Sequence, residues 1–235
     1  MISIILPTYN ERDNIIFLVD SISNVFQELG NNNYEIIIVD DNSPDGTSKI
    51  VNDYENKDKK VKLITRKTEK GLGTALKMGI NNSEGNYVLF MDSDLSHPPV
   101  YIKEIIRTLN ESNPDAVIAS RYIKGGSMAA SKYKYILSKA MNLMLMIMLN
   151  IKIRDLTGGF FIIKKSLLEK VDLEKVFIGY GDYFYRLFYK LKTEKYSFKE
   201  IPFHYEKRKS GSSKTNTFKM GIDYIKTMFL LRFEK

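Results

Sequence analysis

The chain contains no cysteine and no tryptophan, and only two histidines occur among its 235 residues. Without thiols, a disulfide framework, a zinc-thiolate site and a cysteine nucleophile are all excluded. His97 has no second His, Cys or carboxylate at ligand spacing on its own helix, and it is read as structural. No apolar run approaches the roughly 20 residues needed to span a bilayer. The amino-terminal Met1-Ile2-Ser3-Ile4-Ile5-Leu6-Pro7 lacks the basic leader of a signal peptide, so a cytoplasmic location is expected. There is no internal repeat and no Pro/Ser-rich linker. The chemistry must come from carboxylates, bases or a bound cofactor.

What is present is enough for a packed core: 43% hydrophobic and 12% aromatic residues exclude disorder as the main state. The length fits one large domain. Lys and Arg number 36 against 28 Asp and Glu, a formal net charge of +8 that favours an anionic partner: nucleic acid, a phosphorylated small molecule or a lipid headgroup surface. Five β-branched runs, Ile2 to Leu6, Tyr34 to Asp40, Val61 to Thr65, Asn86 to Asp92 and Asp115 to Ser120, alternate with segments long enough for one helix each. This pattern predicts an α/β fold with a mostly parallel sheet flanked by helices. Runs such as Ile36-Ile37-Ile38-Val39 do not alternate with polar residues, so both faces of the sheet should be covered. After Arg121 the alternation stops. A methionine-rich helix from about Ser131 to Asn150 is expected, then a strand over Thr157 to Ile163, a helix near Tyr183 to Lys192 and a strand over Ser197 to Tyr205. The economical division is one domain: a nucleotide-binding half (1–121), a smaller mixed acceptor-side region (122–216) and an amphipathic C-terminal helix (217–235).

In parallel sheets ligands bind beyond the carboxyl ends of the strands, so the polar residues there are the candidates. Pro7-Thr8-Tyr9-Asn10-Glu11 offers an aromatic face for a nucleobase and a carboxylate, although the acidic stretch also suits a helix N-terminus. Asp40-Asp41 can bind ribose hydroxyls or a base amide, and the following Ser43-Pro44-Asp45-Gly46 is also a plain turn signal. Lys70-Gly71-Leu72-Gly73 is a short Gly-rich helix entry that lacks the full spacing of a dinucleotide or Walker A loop. The sharpest feature is Asp92-Ser93-Asp94. Two carboxylates one residue apart at a strand end can hold one Mg²⁺ or Mn²⁺ with positions left for diphosphate oxygens; the competing reading is a helix-capping Asp.

The ordered strings PTYNE, VDDNSPDGT, KGLGTA, DSDLSHPP, SRY, DLTGGF and RKSGSSK resemble the dolichol-phosphate mannosyltransferase family, inverting glycosyltransferases of the GT-A (Rossmann-like) fold. The resemblance runs from Ile2 to about Lys214. It implies a nucleotide-sugar donor, GDP-mannose first, a polyprenyl (dolichyl) phosphate acceptor, and Mg²⁺ or Mn²⁺. Position by position it assigns Pro7, Tyr9, Glu11, Val39 and Asp41 to the nucleoside pocket. It assigns Asp92, Ser93 and Asp94 to metal and diphosphate, with Asp92 and Asp94 as metal ligands. Arg121, Arg208 and Lys214 match residues that contact donor or acceptor phosphates, and with Asp94 they are the expected catalytic set. Three departures stand out: Ser96 where some relatives carry a metal-holding Gln, Phe161 where an Arg commonly follows Gly-x-Phe, and an altered Gly179 to Phe184 segment.

With no tryptophan, the Gln-x-x-Arg-Trp motif of many polysaccharide-building relatives is absent, which argues against a processive synthase. A phosphate monoester acceptor, with its second pKa about 6, attacks without a base. Asp182 is the base candidate should the acceptor be a hydroxyl. Phe218, Ile222, Ile225, Phe229 and Phe233 recur at helical spacing with Lys219, Lys226 and Arg232 nearby, which suits either a helix lying on the cytoplasmic face of a membrane or one packed on the core. For the methionine-rich run a buried core helix is the expectation, with a lipid-chain groove as the alternative. A peripheral enzyme of this kind leaves room for a membrane-anchoring protein partner. The competing readings are a transferase using UDP-glucose or a hydroxyl acceptor, a nucleotide-sugar binder without turnover, and a basic nucleic-acid module. The last lacks any groove-reading motif, and no nucleic-acid partner is expected.

Overall fold

The computed structural model describes residues 1–209 and 217–233. In chain order the elements are β1 (Ile2–Thr8), α1 (Arg12–Glu28), β2 (Tyr34–Asp40), α2 (Thr47–Glu55), β3 (Val61–Thr65), α3 (Leu72–Asn81), β4 (Tyr87–Phe90), α4 (Tyr101–Ser112) and β5 (Ala116–Ser120). There follow β6 (Ser127–Met128), α5 (Lys132–Leu149), β7 (Phe161–Lys164), α6 (Lys165–Leu168), α7 (Leu173–Val176), α8 (Tyr183–Lys190), β8 (Phe198–Pro202), β9 (His204–Tyr205) and α9 (Thr217–Phe233). Seven strands form one sheet in the order β3-β2-β1-β4-β7-β5-β8, and β6 pairs with β9 in a small second sheet. Every pairing in the large sheet is parallel except those of β7, which runs antiparallel to both β4 and β5. The chain beyond residue 121 thus returns to the centre of the sheet rather than forming a separate layer.

Alternation along each strand sends side chains to two cores. Ile4, Leu6, Ile36, Ile38, Leu89 and Ile162 face the core built with α1 and α4. Ile5, Val88, Phe90, Phe161 and Ile163 face the opposite core, closed by α5, α8 and α9. Helix α1 shows the logic: Ile15, Leu18, Val19, Ile22, Val25 and Phe26 fall on one stripe and are buried, each contributing roughly 1.5–3 kcal/mol.

Strand β4 is trimmed to Tyr87–Phe90, and both strands expected after Arg121 are shorter than the apolar pattern suggested. Thr157 to Phe160 is loop, because Gly159 takes φ +72° and the Thr157 hydroxyl is engaged by Arg121 and Asn142; β7 begins only at Phe161. The segment 197–205 is divided at Phe203 into β8, which stays in the large sheet, and β9, which leaves it for β6. Helix α5 also departs from expectation: only Asn142, Leu145 and Leu149 are buried, while Tyr133, Ile136, Leu137, Leu143 and Ile147 are exposed.

Candidate active site

A cavity of ≈ 800 Å³ opens beyond the carboxyl ends of β1, β2, β4 and β5. Pro7, Tyr9, Glu11 and Asp41 line one side of it, Asp92, Ser93 and Asp94 another, and Arg121 and Arg208 also reach it. The strand-end assignments therefore converge, with defined exceptions. Val39 does not reach the cavity; as an inner residue of β2 it packs, fully buried, with Ile37 and Ala75. Of the Asp40-Asp41 pair only Asp41 lines the wall. Asp40 is fully buried and accepts hydrogen bonds from Thr8, Ser43 and Ser48. Lys214 lies outside the described residues.

The wall around Tyr9 and Asp41 is organised by Arg66, which follows the third strand and was given no role from sequence. Its guanidinium pairs with Asp41 Oδ1 and donates to Thr74 Oγ1 (2.7 Å) and the Gly71 carbonyl (2.9 Å), while the Gly71 amide donates to Asp41 Oδ2 (2.8 Å). Asp41 is thereby locked to the entry of α3. The half-exposed ring of Tyr9 has Lys70 Nζ 5.4 Å from its centre. Glu11 begins α1 without capping it through its side chain; Asp45 and Thr47 bind the amides there instead. Its carboxylate accepts from Asn14 Nδ2 (2.7 Å) and faces Arg208.

At the acidic pair, Leu95 is held at φ +67° with its side chain buried, a conformation costly for a non-glycine residue. The turn lets Ser96 fold back, its amide (3.0 Å) and hydroxyl (2.5 Å) both donating to Asp94 Oδ1. Ser96 is buried and orients Asp94; it does not line the cavity as a metal-holding Gln would. Ser93 Oγ donates to the Pro7 carbonyl (2.8 Å), tying the end of β4 to that of β1. His97, stacked on Phe160 and fully buried, accepts from the Asp92 amide at Nδ1 (2.9 Å). Its role is structural, in service of the acidic loop.

The electrostatics follow from this packing. Burial, and then the adjacent Asp94 charge, push Asp92 up to about 7. Burial also acts to raise Asp94, but the Ser96 donors and Arg208 outweigh it and hold that carboxyl below its ordinary value. Burial lowers His97 to about 4. Arg121 would be lowered by burial, yet the charge of Asp155 dominates and keeps its guanidinium above its ordinary value.

Arg121 is positioned by Asp155, a fully buried residue that sequence reasoning left without a role. Nε and Nη2 of Arg121 each lie 2.8 Å from Asp155, its amide donates to the same carboxylate (2.9 Å), and Nη2 also reaches Thr157 Oγ1 (2.9 Å). The string DLTGGF was the visible signal; its partner 34 residues earlier was not. Tyr183, Tyr205 and Tyr224, likewise unassigned from sequence, line the same end of the chain's cavity wall with Arg121. Phe161, in contrast, faces the core, with Phe90 stacked at 4.6 Å and Phe184 edge-on at 4.7 Å. Asp182 is buried against Arg186 (2.7 Å) and Thr227 (3.1 Å) and does not line the cavity.

The description of glycosyl transferase family 2 matches residues 3–172, and the chain belongs to that family. It is 37% identical over 235 residues to the dolichol-phosphate mannosyltransferase of Pyrococcus furiosus, covering 98% of this chain and 63% of that protein. It is 30% identical over 216 residues to the polyprenol monophosphomannose synthase of Mycolicibacterium smegmatis, covering 90% of this chain and 79% of that protein. Among solved structures, glucosyl-3-phosphoglycerate synthase from Mycobacterium tuberculosis with bound uridine diphosphate superimposes with a TM-score of 0.71 at 18% identity, over 99% of this chain and 80% of the other. That likeness is one of fold, the GT-A arrangement of a mostly parallel sheet flanked by helices.

Proposed function

We propose that the chain transfers a sugar, mannose from GDP-mannose in the first instance, with inversion to a polyprenyl phosphate. The observation that carries this reading is one cavity in which an acidic pair, Asp92 and Asp94, meets two arginines, Arg121 and Arg208. The names of the two relatives support the donor and acceptor. In this reading residues 1–121 hold the donor and 122–216 face the acceptor.

The acidic pair fits a divalent cation. Both carboxylates line the cavity, the Asp92 side chain is 38% exposed there, and the Arg208 guanidinium already stands against Asp94. Among the described residues no group of three or more His, Asp or Glu side chains is placed to hold a metal ion, so diphosphate oxygens and water would have to complete the coordination at this pair. Asp92 and Asp94 would hold Mg²⁺ or Mn²⁺; structures of glucosyl-3-phosphoglycerate synthase contain Mn²⁺. Such an ion supplies charge to the departing diphosphate.

The chain's own residues do the rest. Tyr9 offers a ring to the base, and Asp41, fixed by Arg66, offers its carboxylate edge. Arg121, preorganised by Asp155, presents charge without reorganisation as the reaction proceeds. An acceptor phosphate oxygen forms a bond to the anomeric carbon as the bond from that carbon to the nucleoside diphosphate breaks, on opposite faces of the sugar. An ionised phosphate needs no proton removed, in keeping with Asp182 being paired with Arg186.

Access to a lipid acceptor is supported by two neighbouring helices. Ile136 (64% exposed) and Ile147 (65%) on α5, with Leu230 (66%) and Phe233 (71%) on α9, present apolar surface, and Lys134, Leu137, Met141 and Met220 carry it to the cavity mouth. Lys132, Lys139, Lys226 and Arg232 are exposed on the same two helices. No helix among the described residues is long and apolar enough to cross a membrane. We read this face as resting on the cytoplasmic leaflet.

The test is release of nucleoside diphosphate from GDP- and UDP-sugars with Mg²⁺ or Mn²⁺, with and without dolichyl phosphate. Release from GDP-mannose that requires the lipid phosphate is expected. Release with a different donor, or donor binding without release under every condition, would reject the assignment.

A further inference from the structure

Arg208 stands where a cation is required. Its Nη2 and Nε lie 2.8 and 3.0 Å from Asp94 Oδ2, and Nη1 lies 3.8 Å from Glu11 Oε1. Ser96 meanwhile holds the other Asp94 oxygen through two donors. Both carboxylate oxygens of Asp94 therefore already carry hydrogen bonds, and Oδ2 receives two from a full positive charge. A hard divalent ion needs a carboxylate lone pair at about 2.0–2.6 Å, and a guanidinium hydrogen-bonded to the same oxygen both fills those directions and repels the ion. Arg208 and a metal ion cannot share Oδ2.

The backbone beside Arg208 is held, and its side chain reaches the cavity. The Glu206 amide donates to the Ser96 carbonyl (3.0 Å), and β9 is paired with β6, so the segment is pinned to the acidic loop two residues before Arg208. The Arg208 side chain itself is 25% exposed and lines the cavity.

We propose that Arg208 is a placeholder cation: it latches Asp94 and Glu11 before a divalent ion arrives, leaves Asp94 when the ion enters, and then pairs with the donor diphosphate. This rests on the reading of Asp92 and Asp94 as the metal-holding pair. Two consequences follow. Metal alone binds against the latch, and diphosphate strengthens metal binding beyond direct ligation because it offers the displaced guanidinium a new partner.

The experiment is Mn²⁺ binding, read by the paramagnetic resonance signal of the free ion, for the wild type, Arg208→Gln, Arg208→Lys and Asp94→Asn, each with Mn²⁺ alone and with GDP. Thermal melts establish that each variant is folded. With Mn²⁺ alone, Arg208→Gln is expected to bind roughly tenfold more tightly than the wild type, the scale of a close charge-pair coupling. With GDP present that advantage should vanish or reverse. Arg208→Lys keeps the charge without the fork and should recover only part of the wild-type behaviour. If Arg208→Gln binds Mn²⁺ alone no more tightly, while Asp94→Asn still abolishes binding, the latch is wrong and the metal site stands. If no protein binds Mn²⁺ with or without GDP, the reading of the acidic pair fails and takes the latch with it.

Discussion

Arg121 would be a poor residue to bury without Asp155, and the pair makes the cost of separating them predictable. Asp155→Ala leaves a buried guanidinium without its counter-charge and should destabilise the fold by about 3–5 kcal/mol, measured by urea unfolding. Asp94 stands in a different situation, at a loop facing the cavity. Asp94→Ala should lower metal-dependent turnover by roughly 100-fold or more while the melting transition persists; full activity would reject its role. His97 makes a pH prediction. Its folded value, about 4, lies below the ordinary 6.5, so between those values the unfolded chain binds more protons and stability falls as pH drops. The contribution is complete above about pH 6.5 and is lost as pH falls toward 4. Asp92, raised in the fold, has the opposite slope, so the informative quantity is the difference between wild type and His97→Gln across pH 4–7. The variant should lose less stability on acidification.

Helix α9 packs on the core along one stripe and carries apolar residues on its outer side as well. Tyr224, Met228 and Leu231 are buried against the core, while Ile222, Ile225, Phe229, Leu230 and Phe233 are exposed; the side chain of Phe218 lies outside the described residues. Packing needs only one stripe of the helix, and apolar residues continue around the rest. Truncation after Thr217 would therefore remove core contacts along with the outer face. Substitution of the outer face alone, Ile147→Ser with Leu230→Ser and Phe233→Ser, is the sharper test. It should reduce sedimentation with anionic liposomes severalfold and leave the melting temperature within a few degrees. Unchanged sedimentation would reject the membrane-facing reading. The start of α3 touches the 177–179 loop: a Cβ on Gly73 would meet the backbone of Phe177 and Ile178 at 2.8 Å.

For the whole molecule, the cavity is lined from both halves of the chain, so donor product and metal bound there should stabilise it as one unit. GDP with Mn²⁺ at about 100 times its dissociation constant should add about 2.7 kcal/mol, a rise in melting temperature of roughly 5–10 °C. Differential scanning fluorimetry checks this, and Asp94→Asn should lose most of the shift.

The α/β class and the address of the site were legible in the sequence, because strand periodicity and strand-end chemistry are local. Tyr34–Asp40 and Val61–Thr65 are strands with the bounds their β-branched runs predict, and the acidic pair after β4 lies in the cavity as strand-end logic requires. Partnerships were not legible. Asp41 meets Arg66 across 25 residues, Arg121 meets Asp155 across 34, and Asp94 meets Arg208 across 114. Nor did the apolar pattern of α5 say that much of it faces outward, or the family resemblance that Phe161 turns to the core. Periodicity tells which residues share a face of one element; only the packing of elements on one another decides whether that face meets a neighbour, a ligand or solvent.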